Sequence, residues 1–378
     1  MKKIKVSELK EGMRFTAPVY IEDENLFVPA NIPIKQKDID RLEKWRIEEL
    51  YTDGKVVKGS DRGQNDIDKL INVLDAQADQ KLLDMYYTSV ETLDAVFESV
   101  AKNEPVDSEE VDTIVAELLP AIKDHKDEMI SFMILSGHGE SDRTESAVNT
   151  AIISVFTANS LKLPSHKVNL LAYAALLHDV GMMKIPDKVL KKEGELTQNE
   201  LKIIQMHPIY SHKLITKTFK YPEEVGEIVL QHHERWDGKG YPNGLKGKEI
   251  SLPARILSVA DAFEAMVSHR PYRNSMIGYM AMKQLLNDNG RRFDSAILKA
   301  FIKVMGIYPI GSIVLLNDAR IGRVLNTHID APLRPTIRLV VDSRGKKYTK
   351  EEVVIDLLKE KDLYIARAIN PKELENAS

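Results

Sequence analysis

Residues 165–181, SHKVNLLAYAALLHDVG, decide how this chain is read. An apolar helix pattern with Ser165 as its N-cap ends at His178 and Asp179, and Gly181 supplies the stop. Alone, a His-Asp pair at a helix end reads as a polar terminus. The other histidines change that weighing. Of ten in the chain, eight lie between 138 and 269, and several stand where helix patterns end.

Working outward, Thr197 and Glu200 form a capping-box pattern that starts a helix carrying His207 just before Pro208. A third helix, Glu223 to His233, ends in the adjacent pair His232 and His233, and a fourth, Pro253 to about Ser268, carries Asp261 inside RILSVADAFEAMV. A carboxylate on an apolar helix is costly unless it is paired or ligates a metal, though a lone one more often finds an Arg or a backbone partner. Neighbouring histidines on a helix diverge by about 100°, so one ion does not serve both in the same way. His178, Asp179, His207, His232, His233 and Asp261 together offer nitrogen and oxygen donors suited to Fe, Mn or Zn. Two such ions roughly 3.5–4 Å apart generate hydroxide and stabilise both oxygens of an in-line phosphoryl displacement. The class implied is metal-assisted phosphate-ester hydrolysis.

The whole chain sets the limits. Its 378 residues, 43% hydrophobic and 29% charged, allow two or three domains with a substantial core. There is no cysteine, which excludes disulfides, thiolate sites and a cysteine nucleophile. A net charge of −4 gives no general attraction for a DNA or RNA duplex or an anionic lipid surface, so a phosphate ligand needs local cations. No apolar run approaches the roughly 20 residues of a membrane span, and MKKIKVSELKEGM lacks the apolar stretch of a signal peptide; a cytoplasmic location is expected. The expected fold is mainly α, with four parts. Residues 1–58 form a small α+β module, with RFTAPVYI and NLFVPA as β-like runs and KDIDRLEKW as a short helix. Residues 66–135 are a helical linker or regulatory region, with Ile67, Leu70, Ile71 and Leu74 on one face, a capping box at Asp107 and Glu110, and a kink at Pro120. These helices could pair two chains into a homodimer. Residues 140–305 are helix after helix, and 306–378 a β-rich extension in which YPIGSIVLLN, ARIGRVLN and TIRLVVDS read as strands.

The motifs LLHDVG, MHP, HHERWDGKGYPNGLKG and ARILSVADAFEAMVSHRPYR, ordered over about 140 to 305, resemble the HD-GYP domain. That branch of the HD phosphohydrolases cleaves the bacterial messenger cyclic di-GMP to linear pGpG or GMP. The N-terminal KKIKVSELKEGM also resembles a module often found ahead of such domains. The resemblance implies an HD-type helical bundle with two or three divalent metals, commonly iron or manganese. Asp179 would bridge two of them, with His178 and Asp261 on one, His207 and His232 on the second, and His233 on a third. Asp179 and His178 would form the catalytic pair. The sequence DGKGYP would form the lip of the pocket: Gly238 and Gly240 allow positive φ and close approach, Pro242 stiffens the turn, and Tyr241 presents a ring or hydroxyl to a nucleotide. Arg270 and Arg273 match positions whose cations meet phosphate. Two positions depart from the family. Ser146, in SAVNTAI, stands where a histidine ligand is usual, and Met182 where a lysine is. Asp142 or Glu145 are candidates to complete the first site, and Lys184 to replace the cation. His138, in SGHGES, reads as a loop residue. The alternative to the enzyme is a receptor that holds cyclic di-GMP, or a partner protein, without turnover.

Overall fold

The computed structural model describes residues 80–135, 142–192, 194–268, 278–346, 348 and 353–369, together with much of 2–56. The expected helix around Ile67 to Leu74, most of KDIDRLEKW, and His138, Arg270 and Arg273 lie outside the described residues. The chain divides into two compact units, Ala78–Met305 and a unit joining Met1–Gln77 to Gly306–Ser378.

The first unit is helical. Its described elements are α1 (Gln80–Lys102), α2 (Ser108–Asp124), α3 (Lys126–Leu135), α4 (Asp142–Ser160), α5 (Ser165–Leu177), α6 (Asp187–Leu190), α7 (Gln198–Ile204), α8 (His207–Lys213), α9 (Glu223–Leu230), α10 (Leu252–Val267), α11 (Gly278–Asn287) and α12 (Ser295–Met305). Helix α4 lies at the centre and packs on α5, α10 and α12. The run from Leu171 through Ala172, Ala174, Ala175 and Leu176 to Leu177 is buried, as the apolar pattern of α5 requires.

Helices α1 and α2 belong to the same unit rather than to a separate linker. Their apolar stripe, including Leu82, Tyr86, Leu93 and Phe97 on α1, is buried, and the Tyr86 hydroxyl donates to Asn149 Oδ1 on α4 at 2.8 Å. The apolar stripe of α1 is therefore buried within one chain. Asp107 caps α2 by accepting from the Glu109 amide at 2.9 Å instead of forming a reciprocal box with Glu110. Helix α2 continues through Pro120 to Asp124. Ser165 is the first helical residue of α5 and follows Pro164, so it does not cap the helix with its side chain. The Thr197–Glu200 capping box is present in full.

The second unit holds two antiparallel sheets. Strands β1 (Lys2–Lys5), β2 (Val19–Ile21), β3 (Asn25–Val28) and β4 (Glu49–Thr52) pair in the order β1-β4-β2-β3. Strands β5 (Ile313–Leu316), β6 (Ile321–Asn326), β7 (Thr336–Val341), β8 (Val354–Asp356) and β9 (Ile365–Ile369) pair in the order β8-β7-β6-β5-β9. The three C-terminal runs expected as strands are β5, β6 and β7. One apolar core joins the two ends of the sequence: Val19, Leu42 and Leu50 share a cluster with Ile313, Leu315 and Ile369. The N-terminal module and the C-terminal extension, separate in the sequence reading, thus fold as one body.

Candidate metal centre

Three histidines sit at helix ends, where the last carbonyls have no helical donor. His178 follows α5 and its Nδ1 lies 2.8 Å from Ala175 O; His207 follows α7, with Nδ1 2.8 Å from Ile204 O; His232 follows α9, with Nδ1 2.5 Å from Val229 O. Each ring meets the carbonyl three residues back, so the same local device is used three times. A carbonyl only accepts, so each Nδ1 carries the proton and donates, and each Nε2 of the neutral ring presents a lone pair. All three rings are buried.

Those lone pairs converge on carboxylates. His207 Nε2 lies 3.2 Å from Asp179 Oδ1 and 3.3 Å from His232 Nε2. His178 Nε2 lies 3.6 Å from Asp261 Oδ1 and 3.9 Å from Asp179 Oδ2, and His233 Nδ1 lies 3.9 Å from Asp261 Oδ2. One ligand atom from each of Asp179, His207, His232 and His233 falls within 4.8 Å of the others. Electron pairs facing one another in a buried cluster repel unless a cation lies between them. The donor set, the fixed tautomers and the convergence fit divalent metal ions.

Protons report the same demand. Burial opposes charge on His178, but the carboxylates of Asp179 and Asp261 outweigh it and push its pKa up to about 9. Asp179 and Asp261 are held well below the usual carboxylate range: burial works against their charge, and the surrounding histidines overcome it. Burial is the main reason that His232 is pushed down and that His233 falls to about 4. Near neutral pH a metal must therefore displace the proton of His178, whereas His233 has already lost its own. Apparent metal affinity is expected to rise about tenfold per pH unit from pH 6 and to level off near 9. Titration of metal-free protein with Mn²⁺ at pH 6, 7 and 8 checks this, and a flat profile would contradict it.

The loop after His233 forms one wall. Glu234 is buried, and its carboxylate accepts from the amides of Asn243 at 2.7 Å, Gly244 at 3.1 Å and Leu245 at 3.0 Å. A Cβ on Gly240 would stand 2.4 Å from Arg235 N and 2.6 Å from His233 O, so only glycine lets the loop lie on the histidine turn. Gly238 has φ +78°, and the Tyr241–Pro242 peptide is cis. The Tyr241 ring lies 4.8 Å from that of His233. Asp179, Asp261, His233 and Tyr241 line a cleft of about 320 Å³, together with Met182 and Arg292.

The structure brings His178, Asp179, His207, His232, His233 and Asp261 together and sets Gly240 and Tyr241 beside them. Lys184 does not join them. Its Nζ donates to Val100 O at 2.7 Å and Asn103 Oδ1 at 2.6 Å, where α1 ends and its carbonyls are open. Gly181 does not end α5 as a left-handed stop; it is buried, and a Cβ there would meet His207 O at 2.2 Å. Its amide donates to Ser211 Oγ at 2.8 Å, and that hydroxyl donates to His178 O at 2.7 Å, locking α8 to the His-Asp turn. The Ser146 hydroxyl donates to buried Glu264, as does that of Ser268. Glu145 is half-buried on α4, and the side chain of Asp142 lies outside the described residues. Glu234 and Arg292 were not legible as site residues. A Glu after a histidine pair reads as solvent-facing, and Arg292 reads as surface charge.

This arrangement defines the class. Residues 132–297 match the HD domain family, and residues 313–377 match a KOW domain associated with HD domains. The helical unit therefore carries an HD domain, which spans residues 132–297. It is 32% identical over 260 residues to a cyclic di-GMP phosphodiesterase of Pseudomonas aeruginosa, covering 69% of this chain and 62% of that protein. It is 27% identical over 356 residues to the cyclic di-GMP phosphodiesterase PdeB of Borreliella burgdorferi, covering 94% of this chain and 92% of that one. The solved structure of Bd1817, an HDG"Y"P protein from Bdellovibrio bacteriovorus, is similar with a TM-score of 0.48 and 17% identity, covering 79% of this chain and 97% of that one. No described helix is long and apolar enough to cross a membrane.

Proposed function

We propose that the chain is a metal-dependent phosphodiesterase that hydrolyses cyclic di-GMP to linear pGpG or GMP, with residues 140–305 as its catalytic part. The observation that carries this reading is the convergence of three backbone-tethered imidazoles on Asp179 and Asp261. The names of the Pseudomonas and Borreliella relatives support the substrate. Two or three ions, iron or manganese, would be held by His178, Asp179, His207, His232, His233 and Asp261, with Asp179 shared between two. When bound they would supply an activated water and charge stabilisation at the phosphorus. Tyr241 and Gly240 form the wall against which a nucleotide packs, and Arg270 and Arg273 are the family's phosphate cations.

Tyr241 touches the cluster through its ring and is not among the proposed ligands. Tyr241→Ala is therefore expected to leave metal content unchanged and to raise KM for cyclic di-GMP severalfold, since base stacking on an aromatic ring is worth about 1–3 kcal/mol. Steady-state kinetics with metal analysis of the variant checks it, and unchanged kinetics would remove Tyr241 from the substrate wall. Chromatography of the products separates pGpG from GMP.

A second reading has its own observation. Ser146, at the family's histidine position, is engaged with Glu264, and Met182 puts an apolar side chain into the cleft. A receptor that binds cyclic di-GMP without turnover fits those two positions. It would bind the dinucleotide and release no linear product under any metal.

A further inference from the structure

The cleft described above is acidic at its floor and, among the described residues, has no lysine and one arginine in its lining. Asp179 and Asp261 face it, Met182 contributes no charge, and Lys184 is turned to the end of α1. Arg292 is the exception, and it comes from the turn between α11 and α12, a segment remote in sequence from the metal-ligand motifs.

Its position is fixed from several sides. The Trp236 amide donates to Arg292 O at 3.0 Å and the Asp237 amide to Arg291 O at 2.9 Å, so the turn of Arg292 and the loop of Tyr241 are joined through the backbone. The Arg292 amide donates to Asp288 O at 3.0 Å. Its guanidinium lies over the ring of Phe293 at 5.0 Å, and Phe293 is itself buried. Its neighbours are paired differently. Arg255 is bound to Asp294 at 2.6 Å and Arg291 to Asp288 at 2.5 Å. No carboxylate among the described residues pairs with Arg292. A half-buried guanidinium with one face on an aromatic ring keeps its planar N–H edge available for paired oxygens.

We propose that Arg292 is a substrate-binding residue whose guanidinium meets a non-bridging phosphate oxygen of the diester in this cleft. Tyr241 and Arg292 then act as one rigid wall, the ring taking a base and the cation the phosphate beside it. The proposal rests on the phosphodiesterase reading of the site. It adds a positively charged contact that the sequence motifs do not contain. The positive charge also acts on the Tyr241 hydroxyl, opposing the upward pKa shift that burial and the two aspartates cause there.

The test uses the full-length, metal-loaded protein with two substrates, cyclic di-GMP and the simple diester bis(p-nitrophenyl) phosphate. Arg292→Gln is expected to lower kcat/KM about tenfold or more on both, chiefly through KM, with metal content unchanged. Inhibition by inorganic phosphate should weaken in parallel. Arg292→Lys should recover part of the loss. Adding Met182→Lys to Arg292→Gln should recover part as well, because residue 182 lines the same cleft and restores a cation there. A fold-only role for Arg292 predicts loss of thermal stability that neither cation repairs, and that result would overturn the proposal. So would unchanged kinetics and phosphate inhibition in Arg292→Gln. Wild-type protein that cleaves the simple diester but not cyclic di-GMP would defeat the substrate assignment alone, leaving the effect of Arg292→Gln on the simple diester to decide this inference. Wild-type protein inert toward both would defeat both.

Discussion

Asp179→Ala is expected to lose its metal and its hydrolytic activity together. Two histidines approach Asp179, His207 at 3.2 Å and His178 at 3.9 Å, and the closer of these contacts is the shortest His–carboxylate distance in the cluster. Removing Asp179 takes away an anion that offsets the burial of the cluster and, on the proposed reading, the ligand shared between two ions. The imidazoles of His178, His207 and His232 would remain, each held by its backbone carbonyl, with less negative charge to attract a cation. A bound metal contributes several kcal/mol of transition-state charge stabilisation, so activity should fall about a thousandfold or more. Metal analysis and turnover measured on the same preparation check both halves. Asp179→Ala with full metal content and near-normal turnover would contradict the bridging role.

Glu234→Ala should produce the next largest effect and a different signature. Its carboxylate is the acceptor for three consecutive amides, those of Asn243, Gly244 and Leu245, and it is buried. Alanine leaves these donors without that acceptor, at about 1–3 kcal/mol for each donor that stays buried. The loop relieves the cost by opening to water, which carries Tyr241 away from His233. The expected result is a rise in KM of tenfold or more, with the metals retained, because Glu234 lies on the side of the loop rather than among the ligands. Glu234→Gln, which keeps one acceptor oxygen, should be milder. Loss of metal in Glu234→Ala with an unchanged KM would show that the residue supports the histidines instead of the loop.

The convergence of His178, His207 and His232 was legible because its signals are local. A histidine at the end of an apolar helix meets the carbonyl three residues back, and that contact needs no distant partner. The Thr197–Glu200 box was legible for the same reason. Lys184 was misread because the charge sought near Met182 is claimed by the open end of α1, which lies far back in the sequence. Glu234 was missed because its partners are nine to eleven residues further on, in a loop whose path depends on Gly240. Arg292 reaches the cleft only through the pairing of its turn with Trp236 and Asp237. The two ends of the chain show strand patterns, some alternating and some apolar throughout as in Ile313–Leu316, but such patterns carry no information about which sheet shares a core with which. Ile313 and Leu315 packing in one cluster with Val19 and Leu50 is a tertiary choice.

Whether the converging imidazoles and carboxylates hold catalytic metal is decided by anaerobic purification of the unmodified chain, with metal content and cyclic di-GMP turnover measured on the same sample. Two or three iron or manganese ions per chain are expected, with the appearance of pGpG or GMP, both lost on chelation and both restored by adding the metal back. Protein that holds no metal under these conditions, yet binds cyclic di-GMP and leaves it intact, would contradict that expectation.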